Sequence, residues 1–254
     1  MSVAVQVVLV VLLPVLLAVA GLLLVQRLVP PTLRQEHNDV AGFIYAVIGV
    51  LYAVLLAFVV IVVWQQFEAT REAAQVEANE LAAVYLLANR FPEPERVRVQ
   101  ELARSYARTV VEDEWPMMAE GEASPKAWAL LDELRLTVQS MDPGTGAEQV
   151  LFDQGLTRVH EISDARRTRL LDANEDIPSI LWAVLVVGGI ITVTFTYLFG
   201  LKSNWAHALM VAALAMVVAG MLFTIVSLDH PFAGGTYIPP DALEAALTRF
   251  EASS

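Results

Sequence analysis

Cysteine is absent from the 254 residues, so disulfides, thiolate nucleophiles and cysteine-held zinc or iron–sulfur centres are excluded. Charge is also scarce: 17% of the residues are Asp, Glu, Lys or Arg, against about a quarter in a soluble domain. The scarcity is local. Four runs, residues 3–25, 40–64, 180–199 and 205–228, contain none of the four. Ion-coupled carriers use ionisable groups at mid-membrane depth, so that class is disfavoured. A channel conducts past dipoles and apolar constrictions, and stays open as a reading. Also missing are a phosphate-cradling glycine loop, a Gly-x-Ser-x-Gly elbow, a His-Glu-x-x-His helix and a dinucleotide fingerprint. His160 and Asp164 are one helical turn apart, but two ligands make a poor metal site. The chain is therefore read as a non-enzyme without cofactor or metal.

What is present is hydrophobic: 56% of the residues, with a mean hydropathy of +0.56. Each uncharged run has about 20 residues or more, enough to cross a hydrocarbon core of about 30 Å at 1.5 Å per residue. Without water, only a helix satisfies that much backbone within one segment. The first run has no Lys or Arg before it and is long for a signal sequence, so it reads as an uncleaved anchor. Trp64, Trp182 and Trp205 stand at span ends, where amphipathic rings straddle lipid and water. The expected fold is all-α: a polytopic membrane protein of four transmembrane helices, with a soluble antiparallel helical bundle between the second and third. Its divisions are residues 1–64 (spans one and two), 65–177 (the water-exposed domain), 178–228 (spans three and four) and 229–254 (a C-terminal tail).

Four spans place both termini and the domain on one face, and the loops 26–39 and 200–204 on the other. Arg71, Arg166, Arg167 and Arg169 flank the domain, whereas Arg27, Arg34 and Lys202 lie in the short loops. The domain and termini are assigned to the cytoplasm, although Arg27 alone favours the reverse. Residues 65–177 carry 22 acidic and 12 basic side chains, a net −10 of the chain's −12. An acidic domain argues against nucleic acid as a partner.

The domain reads as helices. Phe67, Ala74, Leu81 and Ala88 recur by sevens with Ala78 and Tyr85 interleaved, a packing seam that continues the second span to about residue 91. Pro92 and Pro94 stop it. A returning helix over 95–115 shows Val99, Leu102, Tyr106 and Val110 on one face, bringing Glu112, Asp113 and Glu114 back towards the bilayer. Ser124-Pro125 caps a third helix to about residue 141, and a fourth covers about 148–173.

Candidate pore-lining residues come from the second span in two stripes. Phe43, Val47, Val50 and Val54 make the better dewetting gate; Tyr45, Gly49, Tyr52 and Leu56 make the better permeation surface. The pattern does not choose between them. Thr192 and Thr196 on the third span offer hydroxyls to a polar path, or bond back to their own helix. Gly42, Ala46, Gly49 and Ala53, like Ala208, Ala212, Ala215 and Ala219, are spaced for close helix packing. Gating or ion-sensing candidates are Asp39, Glu112, Asp113, Glu114, Asp229 and His230, each also readable as a helix-end residue.

His37-Asn38-Asp39-Val40-Ala41-Gly42-Phe43, Glu114-Trp115-Pro116, Asp164-Ala165-Arg166-Arg167, Phe195-Thr196-Tyr197-Leu198-Phe199-Gly200 and Asp229-His230-Pro231-Phe232 occur in that order. Together they resemble the bacterial bestrophin-like membrane family, in which an arginine is commoner at the position of His230. The resemblance implies likeness to bestrophins, pentameric anion channels with a cytosolic helical domain and a hydrophobic neck. No bestrophin neck or calcium-binding motif matches this chain residue by residue, so neither anion selectivity nor calcium gating is carried over. The expected function is a homo-oligomeric ion channel in the lipid bilayer of a bacterial inner membrane. The alternative is a non-conducting membrane-anchored scaffold or sensor that binds a soluble partner. Topology is testable first: a tag near residue 203 and one inside 65–177 should lie in different compartments, and a shared compartment refutes four spans.

Overall fold

A computed structural model describes residues 5, 7–233 and 236–252 of the chain. Residues 3, 4 and 6 of the first apolar run lie outside the described residues. Among those described there is no strand. The longer elements are α1 (Val8–Leu28), α2 (Pro31–Gln35), α3 (Asn38–Leu87), α4 (Glu95–Thr109), α5 (Pro125–Gln139), α6 (Gly146–Asp172), α7 (Ser179–Phe195), α8 (Asn204–Asp229) and α9 (Asp241–Ala252). They form two compact units, residues 1–65 with 176–229 and residues 66–175 with 230–254.

The first unit holds the four apolar helices that are long enough to cross a membrane: α1, the amino-terminal part of α3, α7 with its closing turn Thr196–Leu198, and α8. The chain is thus an all-α polytopic membrane protein. Only 17–28% of each apolar window is buried within the chain, so most of its hydrophobic surface points outward. Water would penalise that surface by about 25 cal/mol for each Å²; lipid does not. The backbone of α1 starts with a wide turn, Val8–Leu12, just before Pro14, whose missing N–H interrupts the regular ladder.

Inside this unit α1 packs along α8, and Leu22 of the one and Val211, Ala215 and Ala219 of the other are buried. The small-residue stripe of the fourth span is thus covered at Ala215 and Ala219. The corresponding stripe of the second span is not: a Cβ on Gly49 would meet nothing within 4 Å, and one on Gly42 only the Phe199 ring at 4.0 Å. Two other glycines receive α3. A Cβ on Gly188 would stand 2.8 Å from the Tyr52 ring, and one on Gly189 2.8 Å from the Tyr52 hydroxyl. That hydroxyl, buried, donates to the Leu185 carbonyl at 3.0 Å.

The second unit is built on α3 beyond Gln66, α4, α5, α6 and α9. Its seam is the expected one: Phe67, Ala74, Ala78, Leu81, Tyr85 and Ala88 are all buried. They are joined by Val99, Leu102, Tyr106 and Val110 of the return helix. Beyond α4 the chain stays helical through a wide turn, Val110–Glu114, and a short helix, Trp115–Met118. Gly121 then turns it at a φ of 77°, which L side chains rarely adopt. Ser124 caps α5 by accepting from the Ala127 N–H at 3.3 Å. Thr145 and Glu148 form a reciprocal capping box at the start of α6. The tail adds α9, whose Phe250 is fully buried and stacks on Tyr85 with ring centroids 4.1 Å apart. The Tyr85 hydroxyl donates to the Phe250 carbonyl at 3.2 Å.

Substituting Gly188 by Val should separate α3 from α7 and lower stability in detergent by about 1–3 kcal/mol, the usual range for overpacking. Tyr52→Ala in the same chain should recover part of the loss. A Gly188→Val protein that melts like the parent disproves the contact.

Candidate functional site

The second span shows different surroundings on its two candidate stripes. Tyr52 and Leu56 are buried. Tyr45 stacks on Phe195 at 6.0 Å and meets Phe199 edge-on at 5.8 Å. Tyr45 and Tyr52 are thus turned towards α7 of the same chain, whereas a Cβ on Gly49 would meet nothing within 4 Å. Phe43, Val47, Val50 and Val54 have no such cover: they are 75, 48, 63 and 49% exposed. The small stripe Gly42, Ala46, Gly49 and Ala53 lies between the two on the helix and is also uncovered. The threonines of α7 are engaged locally. Thr192 donates to the Gly188 carbonyl at 2.7 Å and Thr196 to Val193 at 2.5 Å, both within their own helix.

At the short-loop end two of the sequence motifs meet. The Asn38 side chain donates to the Gly200 carbonyl at 3.1 Å and accepts from the Gly200 N–H at 3.0 Å. The amide thereby ties the start of α3 to the turn after α7. Asp39 beside it is exposed in the first turn of α3, where a carboxylate favours the helix dipole. Tyr197 donates to the Ala18 carbonyl at 2.7 Å. A Cβ on Gly21 would touch its hydroxyl at 3.1 Å, so glycine is what lets the ring lie against α1. At the other end of the unit, buried Asp229 accepts from the Ile177 N–H at 3.2 Å.

In the second unit the acidic run 112–114 divides. Glu112 is exposed, and Asp113 pairs with Lys126 at 3.1 Å on the surface. Glu114 is completely buried. Its Oε1 accepts from Arg166 Nε at 3.1 Å and from Arg169 Nη2 at 2.8 Å. Its Oε2 accepts from Arg166 Nη2 and from the Ser124 N–H, the latter at 3.0 Å. Arg169 also grips Glu77 through two bonds, at 2.7 and 3.1 Å. The Tyr106 hydroxyl donates to the same carboxylate at 2.6 Å. Both guanidiniums lie over indole rings, Arg166 on Trp128 at 4.1 Å and Arg169 on Trp115 at 4.7 Å. Two carboxylates and two guanidiniums, all without solvent exposure, thus join α3, the turn after α4 and α6, and Tyr106 and Ser124 tie α4 and the cap of α5 to them.

Three sequence motifs converge here. Glu114-Trp115-Pro116 meets Asp164-Ala165-Arg166-Arg167 through the Glu114–Arg166 pair. Trp115 meets the last motif through Phe232, edge-on at 5.4 Å, and its indole N–H donates to the Ile238 carbonyl at 2.9 Å. His230 is exposed. Sequence reasoning missed Glu77, Tyr106 as a polar partner, and Arg169 as a buried one. A signal existed for Glu77: it sits between Ala74 and Leu81 at helical spacing on an otherwise apolar seam, where a lone carboxylate demands a cation.

The electrostatics follow. Burial works against the Glu114 charge, but the hydrogen bonds and charges of Arg166 and Arg169 outweigh it and hold the carboxyl below its usual 4.5. For Arg169, burial is again the largest opposing effect, and Glu77 and Glu114 more than offset it, raising the guanidinium. Burial drives the Tyr106 phenol well above its usual 10.0, with the Glu77 charge adding to the rise. Glu114 and Arg169 are thereby held in their charged forms and Tyr106 in its neutral one near neutrality.

The fold defines a class. Among solved structures the chain is similar to a point variant of a bacterial bestrophin homologue from Klebsiella pneumoniae, with a TM-score of 0.72 at 10% identity over 94% of this chain and 98% of that one. Another variant of the homologue gives 0.68 at 12% identity over 98% of both chains. Identity this low shows the bestrophin fold. The sequence pattern of the bestrophin-like domain matches residues 12–243, nearly the whole chain. The protein belongs to the bestrophin-like family. No curated protein matches it.

The shifted groups set a pH window. The depressed Glu114 pKa contributes stability above an unfolded value of about 4.3, lost as pH falls through the folded one. The raised Tyr106 pKa contributes below about 10 and is lost as pH rises further. Glu114→Gln should cost about 3–5 kcal/mol and flatten the acid limb of the unfolding midpoint. Tyr106→Phe should cost about 1–3 kcal/mol and flatten the alkaline limb. Unfolding followed by tryptophan fluorescence across pH checks both; a Glu114→Gln midpoint equal to the parent's overturns the assignment.

Proposed function

We propose that this protein assembles with copies of itself into an ion channel of a bacterial inner membrane, with the second span lining the pore. One observation carries the reading. Among the described residues the uncharged span has its partner on one side, against α7, and two adjacent faces are uncovered. The stripe Gly42, Ala46, Gly49 and Ala53 suits the close approach of a neighbouring protomer's helix. The next stripe, Phe43, Val47, Val50 and Val54, then faces the axis of the ring and gates by dewetting. Tyr45, Tyr52 and Leu56 are left to packing against α7, and Thr192 and Thr196 to their own helix. Membership of the bestrophin-like family supports the channel class, and the bestrophin resemblance makes a pentamer the assembly of choice. The helical unit and both termini are assigned to the cytoplasm.

Purified protein in planar bilayers should conduct. Val50→Thr, which wets an apolar constriction without changing its size, should raise the current several-fold. Silence across pH, calcium and voltage overturns the reading in favour of the membrane-anchored scaffold. That alternative predicts a soluble partner cross-linked to residues 66–175.

A further inference from the structure

Arg34 on α2 is 6% exposed, yet among the described residues no carboxylate lies within ion-pair distance of it. Its Nη1 donates to the Tyr197 and Phe199 carbonyls at 3.4 and 3.3 Å, where the end of α7 leaves backbone acceptors over. The opposite edge is unused. Nε is buried without an acceptor, and Nη2 makes no hydrogen bond among the described residues. Nε and Nη2 together form the fork that grips two oxygens of one carboxylate or phosphate. The short-loop segments do not pair it. Their acidic residues, Glu36 and Asp39, are exposed and unpaired with it, and their other ionisable groups, Arg27, His37 and Lys202, are positive or protonatable, as is buried His207. His207 is occupied by Gln26 at 3.4 Å and the Thr196 carbonyl at 3.0 Å. A buried cation left with one free bidentate edge calls for an anion from outside the chain.

A second observation says which anion. α2 links the ends of two spans, which is the depth of lipid headgroups. A cleft of about 530 Å³ lies between α1, α7 and α8. It is lined by Leu17, Val186, Ile190, Val193 and Ala219 among other apolar groups, and includes Tyr197. Tyr197 is the residue whose carbonyl Arg34 holds. We propose that Arg34 seats the phosphate of a bound phospholipid, one acyl chain of which fills this cleft. The phosphate completes the guanidinium's hydrogen bonds, and the chain covers the apolar walls.

Native mass spectrometry of the detergent-purified full chain tests this with dioleoylphosphatidylglycerol, dioleoylglycerol and inorganic phosphate as probes. The phosphatidylglycerol should be retained and the diacylglycerol lost. Arg34→Gln should weaken retention about tenfold, the order expected for a lost charge-assisted bidentate pair. Arg34→Lys keeps the charge without the fork and should weaken it less; it carries the test if the glutamine variant fails to fold. Leu17→Trp, at an exposed cleft residue, should weaken lipid retention with Arg34 intact. Equal retention by the parent and both Arg34 variants overturns the proposal and leaves Arg34 a cap for α7. An Arg34-dependent thermal shift with inorganic phosphate, to which phosphatidylglycerol adds nothing, overturns the lipid assignment in favour of a free anion.

Discussion

Hydrocarbon offers neither hydrogen bonds nor solvation for charge, and most features of the membrane unit follow from that constraint. Each span must satisfy its own backbone, so each is a helix. With apolar surface no longer driving helices together, contact depends on shape and on a few polar bonds. Tyr52 shows both at once: its ring fills the space left by Gly188 and Gly189, and its hydroxyl reaches the Leu185 carbonyl. The Asn38–Gly200 exchange and the Tyr197–Ala18 bond do the same work nearer the short loops.

The helical unit solves a different problem with different means. Water drives its seam together, but four ionised side chains lie inside it without exposure. Burying a charge is costly unless it is paired and hydrogen-bonded, and here each carboxylate takes bonds from a guanidinium as well as from a hydroxyl or an N–H. A neutral, hydrogen-bonded cluster holds α3, α6 and the turn after α4 in one register, since sliding any of them strands a charge. Arg34 is the contrast. It is nearly as hidden but has only carbonyls for company, and the difference between these two arginine environments is what points to a ligand at one of them.

The second span has three faces rather than two. The aromatic face is closed by α7, the small-residue face is open, and the branched apolar face is open beside it. A helix so arranged is prepared for contact with something outside its own chain. Gly49 belongs to both the aromatic and the small stripes, which marks where one face gives way to the next.

Periodicity and charge were enough to read the four spans, the heptad seam from Phe67 to Ala88, the Ser124 cap and the return face from Val99 to Val110, because each is a local pattern on one helix. The family was legible too, in five short motifs kept in order. Glu114 was legible only as an acidic residue near a helix end; that it faces Arg166 and Arg169, 52 and 55 residues away in sequence, is decided by how the turn after α4 lies against α6. Likewise the two stripes of the second span are equivalent as patterns, and only the position of α7 tells them apart. Helical spacing states which side chains share a face; which face is covered depends on partners that spacing along one helix does not encode.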